Sequence, residues 1–236
     1  LTLKAHKILS KIKMCLYAGS LVPREILSIV PKEAKLIDTS DLTMKQIEQL
    51  YIRAKELNVD VARVHSGDVS VYGALSEQIT LLQKHNIDFQ IVPGIPAYVE
   101  AAAQLKTELT APGQVQSVVL TRTSFGSTPM PEGEDLKTFA KTGATLVIHL
   151  SIRRLNYIYR ELTSILGDDA LVAVLYRIGW PDQQIILDRL DNIASRVREK
   201  KITRTALIIT GKNFKKKSDI NSVLYDENFN HLFRPK

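Results

Sequence analysis

The residues His65-Ser66-Gly67-Asp68-Val69-Ser70-Val71-Tyr72-Gly73-Ala74 gather an imidazole, two serine hydroxyls, a phenol, a carboxylate and two glycines in one short run. They follow an apolar, β-branched segment and lead into Leu75, Ile79 and Leu82, which carry a helical spacing. In a parallel α/β sheet, ligands bind at the carboxyl ends of strands. Gly67 lets a ligand come close to the backbone, and Asp68 can accept hydrogen bonds from hydroxyl or ammonium groups. A plain strand-to-helix turn, with Asp68 or Ser70 as its N-cap, accounts equally for the pattern. A second strand end reads Ile91-Val92-Pro93-Gly94-Ile95-Pro96-Ala97. Gly94 permits a tight turn and Pro96 suits a first helical turn. If the two strands are neighbours, both loops edge one crevice.

Other chemical signatures are absent. The chain has no GxGxxG, Walker-type, CxxC, HExxH or GxSxG motif, which removes the usual dinucleotide, phosphate, zinc and serine-hydrolase readings. His6, His65, His85, His149 and His231 show no metal-ligand spacing, so no metal site is expected. Cys15 sits in an apolar strand and reads as a small buried residue. Tyr72, Tyr98, Tyr157 and Tyr176 could stack on a planar ligand, although such rings more often fill cores.

These loops need a scaffold, and the chain alternates short β-branched runs with helical periods. Strands are expected at Cys15 to Tyr17, Leu36 to Asp38, Val61 to His65, Phe89 to Val92, Val118 to Thr121, Thr145 to Leu150, Leu171 to Tyr176, Ile185 to Leu187 and Ala206 to Thr210. Thr43 and Gln46 form a capping box. Met44, Ile47, Leu50, Tyr51, Ala54 and Leu57 then repeat at helical spacing, as do Leu190, Ile193, Ala194 and Val197. This alternation predicts an α/β protein with a largely parallel sheet. The stretch from Thr110 to Gln116 holds Pro112 and Gly113 and lacks periodicity. It divides the chain into an expected N-terminal α/β domain, residues 1–113, and a C-terminal α/β domain with a basic tail, residues 114–236.

The 236 residues are 44% hydrophobic and 24% charged, enough to bury a core. A single cysteine excludes an internal disulfide framework and fits a reducing, cytoplasmic setting. No apolar run approaches the ~20 residues of a membrane span, and residues 1–13 are basic and amphipathic, unlike a secretory signal. The net charge of +7 favours anionic partners. Lys212, Lys215, Lys216, Lys217 and Arg234 cluster near the end, in a run that reads as a solvated tail. Nucleic acid is a poor fit, because no interleaved aromatic and basic stripe occurs outside that tail.

At these motifs the chain resembles the tetrapyrrole methylase family, and within it the branch acting on C11 of precorrin-4 or cobalt-precorrin-4 in cobalamin synthesis. His65 to Ala74 is similar to the family's HSGDPSxYGA, with Val69 in place of proline. Pro93 to Tyr98 resembles its PGVSAF loop, with Pro96 replacing serine. Further similar segments are Tyr17 to Pro23, Asp38 to Thr43, Glu77-Gln78, Glu108 to Thr110, Gln116 to Arg122 and Thr128 to Glu132. Tyr176-Arg177, Trp180 to Asp182 and the tail segment Leu224-Tyr225-Asp226 with Phe229, His231, Phe233 and Arg234 complete the set.

The resemblance implies a two-domain tetrapyrrole-methylase-like fold, with a mostly parallel N-terminal sheet, a mixed C-terminal sheet and S-adenosylmethionine in a trough between the domains. Carried over residue by residue, the cofactor contacts are Ser66, Gly67, Asp68, Val71, Pro96 and Ala97, with Leu150, Ile178 and Ala206 from the second domain. It implies a polycarboxylate tetrapyrrole substrate and a homodimer. Arginines bind carboxylates through paired hydrogen bonds, so Arg122, Arg153 and Arg177, with Arg154, are the expected substrate contacts because they lie at or just after second-domain strand ends. No residue is singled out for acid–base catalysis, and Asp68 is assigned to positioning the cofactor. The family opens with a strand and a GAGPGDP loop, whereas Leu1-Thr2-Leu3-Lys4 resembles the helix just after it. The expectation is therefore a first sheet without that strand and its glycine loop, with reduced cofactor binding. The alternatives are a methylase of the same fold acting on another precorrin carbon or on RNA, and a non-catalytic tetrapyrrole or nucleic-acid binder.

Overall fold

The computed structural model describes residues 1–124, 128–214 and 229. The basic run Lys215–Lys217, the tail motif Leu224–Asp226 and His231, Phe233 and Arg234 lie outside the described residues. The chain divides into two units, Leu1–Val99 and Glu100–Lys236. The division falls inside one helix, Ala97–Leu105, ahead of the aperiodic Thr110–Gln116 stretch.

In unit 1, α1 (Leu3–Leu9) precedes β1 (Met14–Tyr17), α2 (Arg24–Leu27), β2 (Lys35–Asp38), α3 (Met44–Glu56), β3 (Val61–Val64) and α4 (Leu75–Lys84), and α5 (Ala97–Leu105) begins at its end. The three strands are parallel in the order β2-β1-β3. Period-two alternation splits β3 between two cores. Val61 packs with Met14, Leu16, Ile47 and Tyr51, while Ala62 and Val64 join Leu9, Ile12, Cys15 and Val30. The capping box forms as the sequence indicates: the Gln46 N–H donates to the Thr43 hydroxyl, and the Thr43 N–H donates to Gln46 Oε1 at 2.8 Å.

One expected strand does not form. Phe89 to Val92 has the β-branched and aromatic composition of a strand, yet it carries no ladder. Composition makes a strand only where a neighbouring strand lies within hydrogen-bonding reach. Among the described residues β3 pairs on one side only, with β1, and Phe89 and Ile91 stay 44% and 45% exposed.

Unit 2 contains β4 (Val118–Arg122), α6 (Leu136–Lys141), β5 (Thr145–His149), α7 (Leu155–Leu166), β6 (Leu171–Tyr176), β7 (Gln184–Arg189), α8 (Ile193–Glu199) and β8 (Ala206–Thr210). Its mixed sheet runs β4-β5-β8-β6-β7; β4 and β5 are parallel, and the remaining pairs are antiparallel. Ile148, Ile158, Leu162, Val172, Val174 and Ile208 fill a core with almost no exposed surface. The fold is thus the two-part α/β architecture that the family resemblance implies, with a parallel first sheet and a mixed second one in place of the largely parallel sheet that the strand–helix alternation suggests.

Candidate functional site

In unit 1 the two glycine-bearing loops meet. The Gly94 N–H donates to Asp68 Oδ2 at 2.6 Å, and the Ser70 N–H donates to Asp68 Oδ1 at 2.9 Å. The Ser70 hydroxyl also donates to Oδ1. These donors, the Ser70 hydroxyl first, hold the Asp68 carboxyl below the usual carboxylate range. Asp68 is therefore an ionised tie between loops and not the N-cap of α4, a position that falls to Ala74 six residues beyond it. A Cβ at position 94 would lie 1.9 Å from the Gly67 carbonyl oxygen. Only glycine allows the loops to approach so closely. Gly67 itself adopts φ +70° and faces Pro96 and the Ala97 N–H.

Ser66, Gly67, Asp68, Val71, Pro96 and Ala97 thus share one end of unit 1. Ser66 and Gly67 are exposed; the other four are half-buried. Ala97 opens α5 directly after Pro96, whose carbonyl accepts from the Val99 N–H. The arrangement suits a ligand with polar groups lying over exposed backbone. It offers neither a nucleophile–base pair nor, among the described residues, a cluster able to hold a metal ion.

In unit 2 the strand register collects the other candidates at one sheet edge. Arg122 ends β4 opposite His149, the last residue of β5, and Leu150 follows. Ala206 opens β8 opposite Tyr176, the last residue of β6, with Arg177 and Ile178 next. Leu150 is 69% exposed and left-handed at φ 53°, an uncommon state for an apolar residue with a Cβ. A buried hydroxyl knot braces this edge. The Thr123 N–H and hydroxyl lie 2.8 and 3.0 Å from the Ser151 hydroxyl oxygen, and the Ser151 hydroxyl donates to the His149 carbonyl at 2.6 Å. Thr123 and Ser151 escape a sequence reading because ordinary surface loops use the same residues.

The expected substrate arginines are already engaged. Arg122 donates from its two terminal nitrogens to the carbonyls of Thr123, Thr128 and Pro129. Arg153 Nε donates to the Thr203 carbonyl at 3.0 Å. Arg177 pairs with Asp182 at 2.9 Å and stacks 4.0 Å above the Trp180 ring, and Arg154 lies over Tyr157. A cavity of about 280 Å³ beside Arg122 is lined by Glu132, Glu134 and Asp135. Those acids disfavour substrate carboxylates there.

The remaining titratable candidates are structural. Burial pushes the Cys15 thiol up to about 11, so it stays protonated and unreactive. Burial, then the charge of Arg63, lowers the His65 pKa and keeps the imidazole neutral. Burial likewise lowers His149.

The family model for Tetrapyrrole (Corrin/Porphyrin) Methylases matches residues 1–194, and the chain belongs to this family of methyltransferases. It is 41% identical to the precorrin-4 C(11)-methyltransferase of Sinorhizobium sp, over 99% of this chain and 92% of the relative. It is 38% identical to the cobalt-precorrin-4 C(11)-methyltransferase of Methanocaldococcus jannaschii, over 99% and 90%. The solved structure of a cobalamin biosynthetic enzyme, cobalt precorrin-4 methyltransferase, superposes with a TM-score of 0.88 at 31% identity, covering 92% of this chain and 90% of that one.

Proposed function

We propose that this methyltransferase moves a methyl group from S-adenosylmethionine to C11 of precorrin-4 or cobalt-precorrin-4 in cobalamin synthesis. The likeness to C11-methyltransferases over nearly the whole chain carries this reading. The site residues agree with the chemistry. S-adenosylmethionine supplies an electrophilic sulfonium methyl, and an electron-rich tetrapyrrole supplies the carbon nucleophile. Such a transfer needs alignment more than proton transfer, and alignment alone can contribute about 7–11 kcal/mol to lowering the barrier. Asp68 is ionised and accepts from three donors, which suits a residue that shapes a surface and does not move protons.

In this reading Ser66, Gly67, Asp68, Val71, Pro96 and Ala97 hold the methyl donor, with Leu150, Ile178 and Ala206 as further contacts. Arg122, Arg153 and Arg177 serve the substrate carboxylates, and Arg122 does so by exchanging the carbonyl partners of its terminal nitrogens. The working form is a cytoplasmic homodimer. The deciding experiment supplies precorrin-4 and cobalt-precorrin-4 in turn, with S-adenosylmethionine carrying an isotope-labelled methyl. The label is expected at C11 of at least one of them, read by NMR. Label at another ring carbon, or no transfer to either substrate, overturns the reading.

A further inference from the structure

The turn that joins the Gly67–Asp68 loop to α4 is strained and locked. Tyr72 and Ala74 are both left-handed, at φ 55° and 49°. For residues that carry a Cβ this backbone state is disfavoured. The conformation persists only where its surroundings over-determine it, and three devices do so. Between the two residues, Gly73 lies so close to Val69 that a Cβ would meet the Val69 carbonyl oxygen at 2.3 Å. The Gln78 amide, 6% exposed, donates to the carbonyls of Gly73 at 3.3 Å and Ala74 at 3.2 Å. Gln78 Oε1 accepts from the Tyr51 hydroxyl on α3 at 3.1 Å. Burial raises the Tyr51 pKa, so the phenol keeps the proton it donates. Helix α4 meanwhile starts without any side-chain cap, so the lock does not serve ordinary helix initiation.

The lock presents a single large side chain. Tyr72 is 46% exposed and follows Val71, one of the proposed donor contacts. An exposed ring on a backbone that is already held gives up no backbone entropy on stacking. We propose that Tyr72 is a substrate-binding residue whose ring stacks on the plane of the tetrapyrrole, and that Gln78 is the positioning residue that sets it there.

This rests on the reading of the adjoining loops as the methyl-transfer site, and the test separates the two. Uroporphyrin III serves as a stable, planar polycarboxylate probe, titrated by absorbance, and S-adenosylhomocysteine is titrated by calorimetry. Tyr72→Ala is expected to weaken uroporphyrin binding about tenfold and leave the affinity for S-adenosylhomocysteine unchanged. Tyr72→Phe restores most of the loss, because it keeps the ring. Gln78→Leu reproduces the tetrapyrrole defect without removing an aromatic. Gln78→Glu does the same, because it keeps an acceptor for Tyr51 but loses both donors. Equal probe affinity in wild type and Tyr72→Ala overturns the proposal. So does a loss confined to S-adenosylhomocysteine, which would assign the ring to the donor. If Gln78→Leu lowers the melting temperature while the tetrapyrrole affinity holds, the residue is merely structural and the positioning role is overturned. Failure of the wild-type chain to bind S-adenosylhomocysteine strikes the underlying reading instead.

Discussion

Unit 2 holds its sheet by packing, whereas unit 1 holds its loops by polar ties. In unit 2 the three central strands carry Val147, Ile148, Val174, Leu175, Ile208 and Ile209 with essentially no exposed surface. Among the described residues of unit 1, only Cys15 and Leu16, both on β1, reach that level. All four residues of β3 are half-buried, and β2 is mostly exposed. A strand is buried when it has neighbours on both sides and helices on both faces; among the described residues β3 has one neighbour. The loops above it are instead fastened by Asp68 to Gly94, by Gln78 to Gly73 and Ala74, and by Arg63 to the Thr39 hydroxyl. Strength from packing is insensitive to pH. Strength from ionised ties is not.

Core truncation tests the contrast most severely. Leu162→Ala, in the fully buried core of unit 2, is expected to cost roughly 2–5 kcal/mol in urea unfolding. Leu82→Ala on α4, half-buried against the smaller core of unit 1, should cost about 1–2 kcal/mol. Equal losses would erase the distinction. Gly94→Ala comes next. Its Cβ cannot coexist with the Gly67 carbonyl oxygen, so the loops must part, at a cost of about 1–3 kcal/mol. S-adenosylhomocysteine binding should largely disappear in calorimetry, while far-UV circular dichroism stays near wild type. Retained binding would mean that the contact between the loops is not what the ligand reads.

Asp68 brings the polar side of the contrast to a pH experiment. Folding lowers its pKa, so its contribution is present above the ordinary carboxylate value of about 3.9 and is lost as pH falls through the lower folded value. Asp68→Asn removes the charge but keeps the shape. It should weaken S-adenosylhomocysteine binding by about tenfold near neutral pH, in line with hydrogen bonds to a charged acceptor. The stability difference between wild type and variant should shrink as the solution is acidified below that range. A difference that stays constant with pH would remove Asp68 as the titrating tie.

How far the sequence revealed these features follows from the range of the forces involved. The capping box at Thr43 and Gln46 is local, and its two bonds form as the spacing indicates. The eight strands that form owe their legibility to β-branched runs between turn residues. Phe89–Val92 has the same composition and fails, because a strand also needs a partner that composition cannot report. Gly67 and Gly94 mark themselves as special positions, but nothing local reveals that Asp68 reaches across 26 residues to the Gly94 N–H. The left-handed Tyr72 and Ala74 are equally hidden, since residues with a Cβ give no sign that a distant glutamine will hold them there. Position at strand ends singles out the arginines but says nothing of their present partners: Arg122 uses both terminal nitrogens to hold its own loop.

The smallest expected effect concerns whether the ties of unit 1 act together. Thr43→Ala removes a cap acceptor and should lower stability by about 1 kcal/mol, read in urea. The same helix, α3, carries Tyr51, whose hydroxyl holds Gln78 and through it the strained turn. If the lock depends only on local geometry, frayed residues at the start of α3 leave Tyr51 in place two turns away, and uroporphyrin affinity stays within twofold of wild type. A several-fold drop would mean that the helix, lock and turn form one cooperative body. Its stability would then rest on the hydrogen-bond chain from α3 to Gln78, because the half-buried apolar contacts of unit 1 are too few to isolate one element from the next.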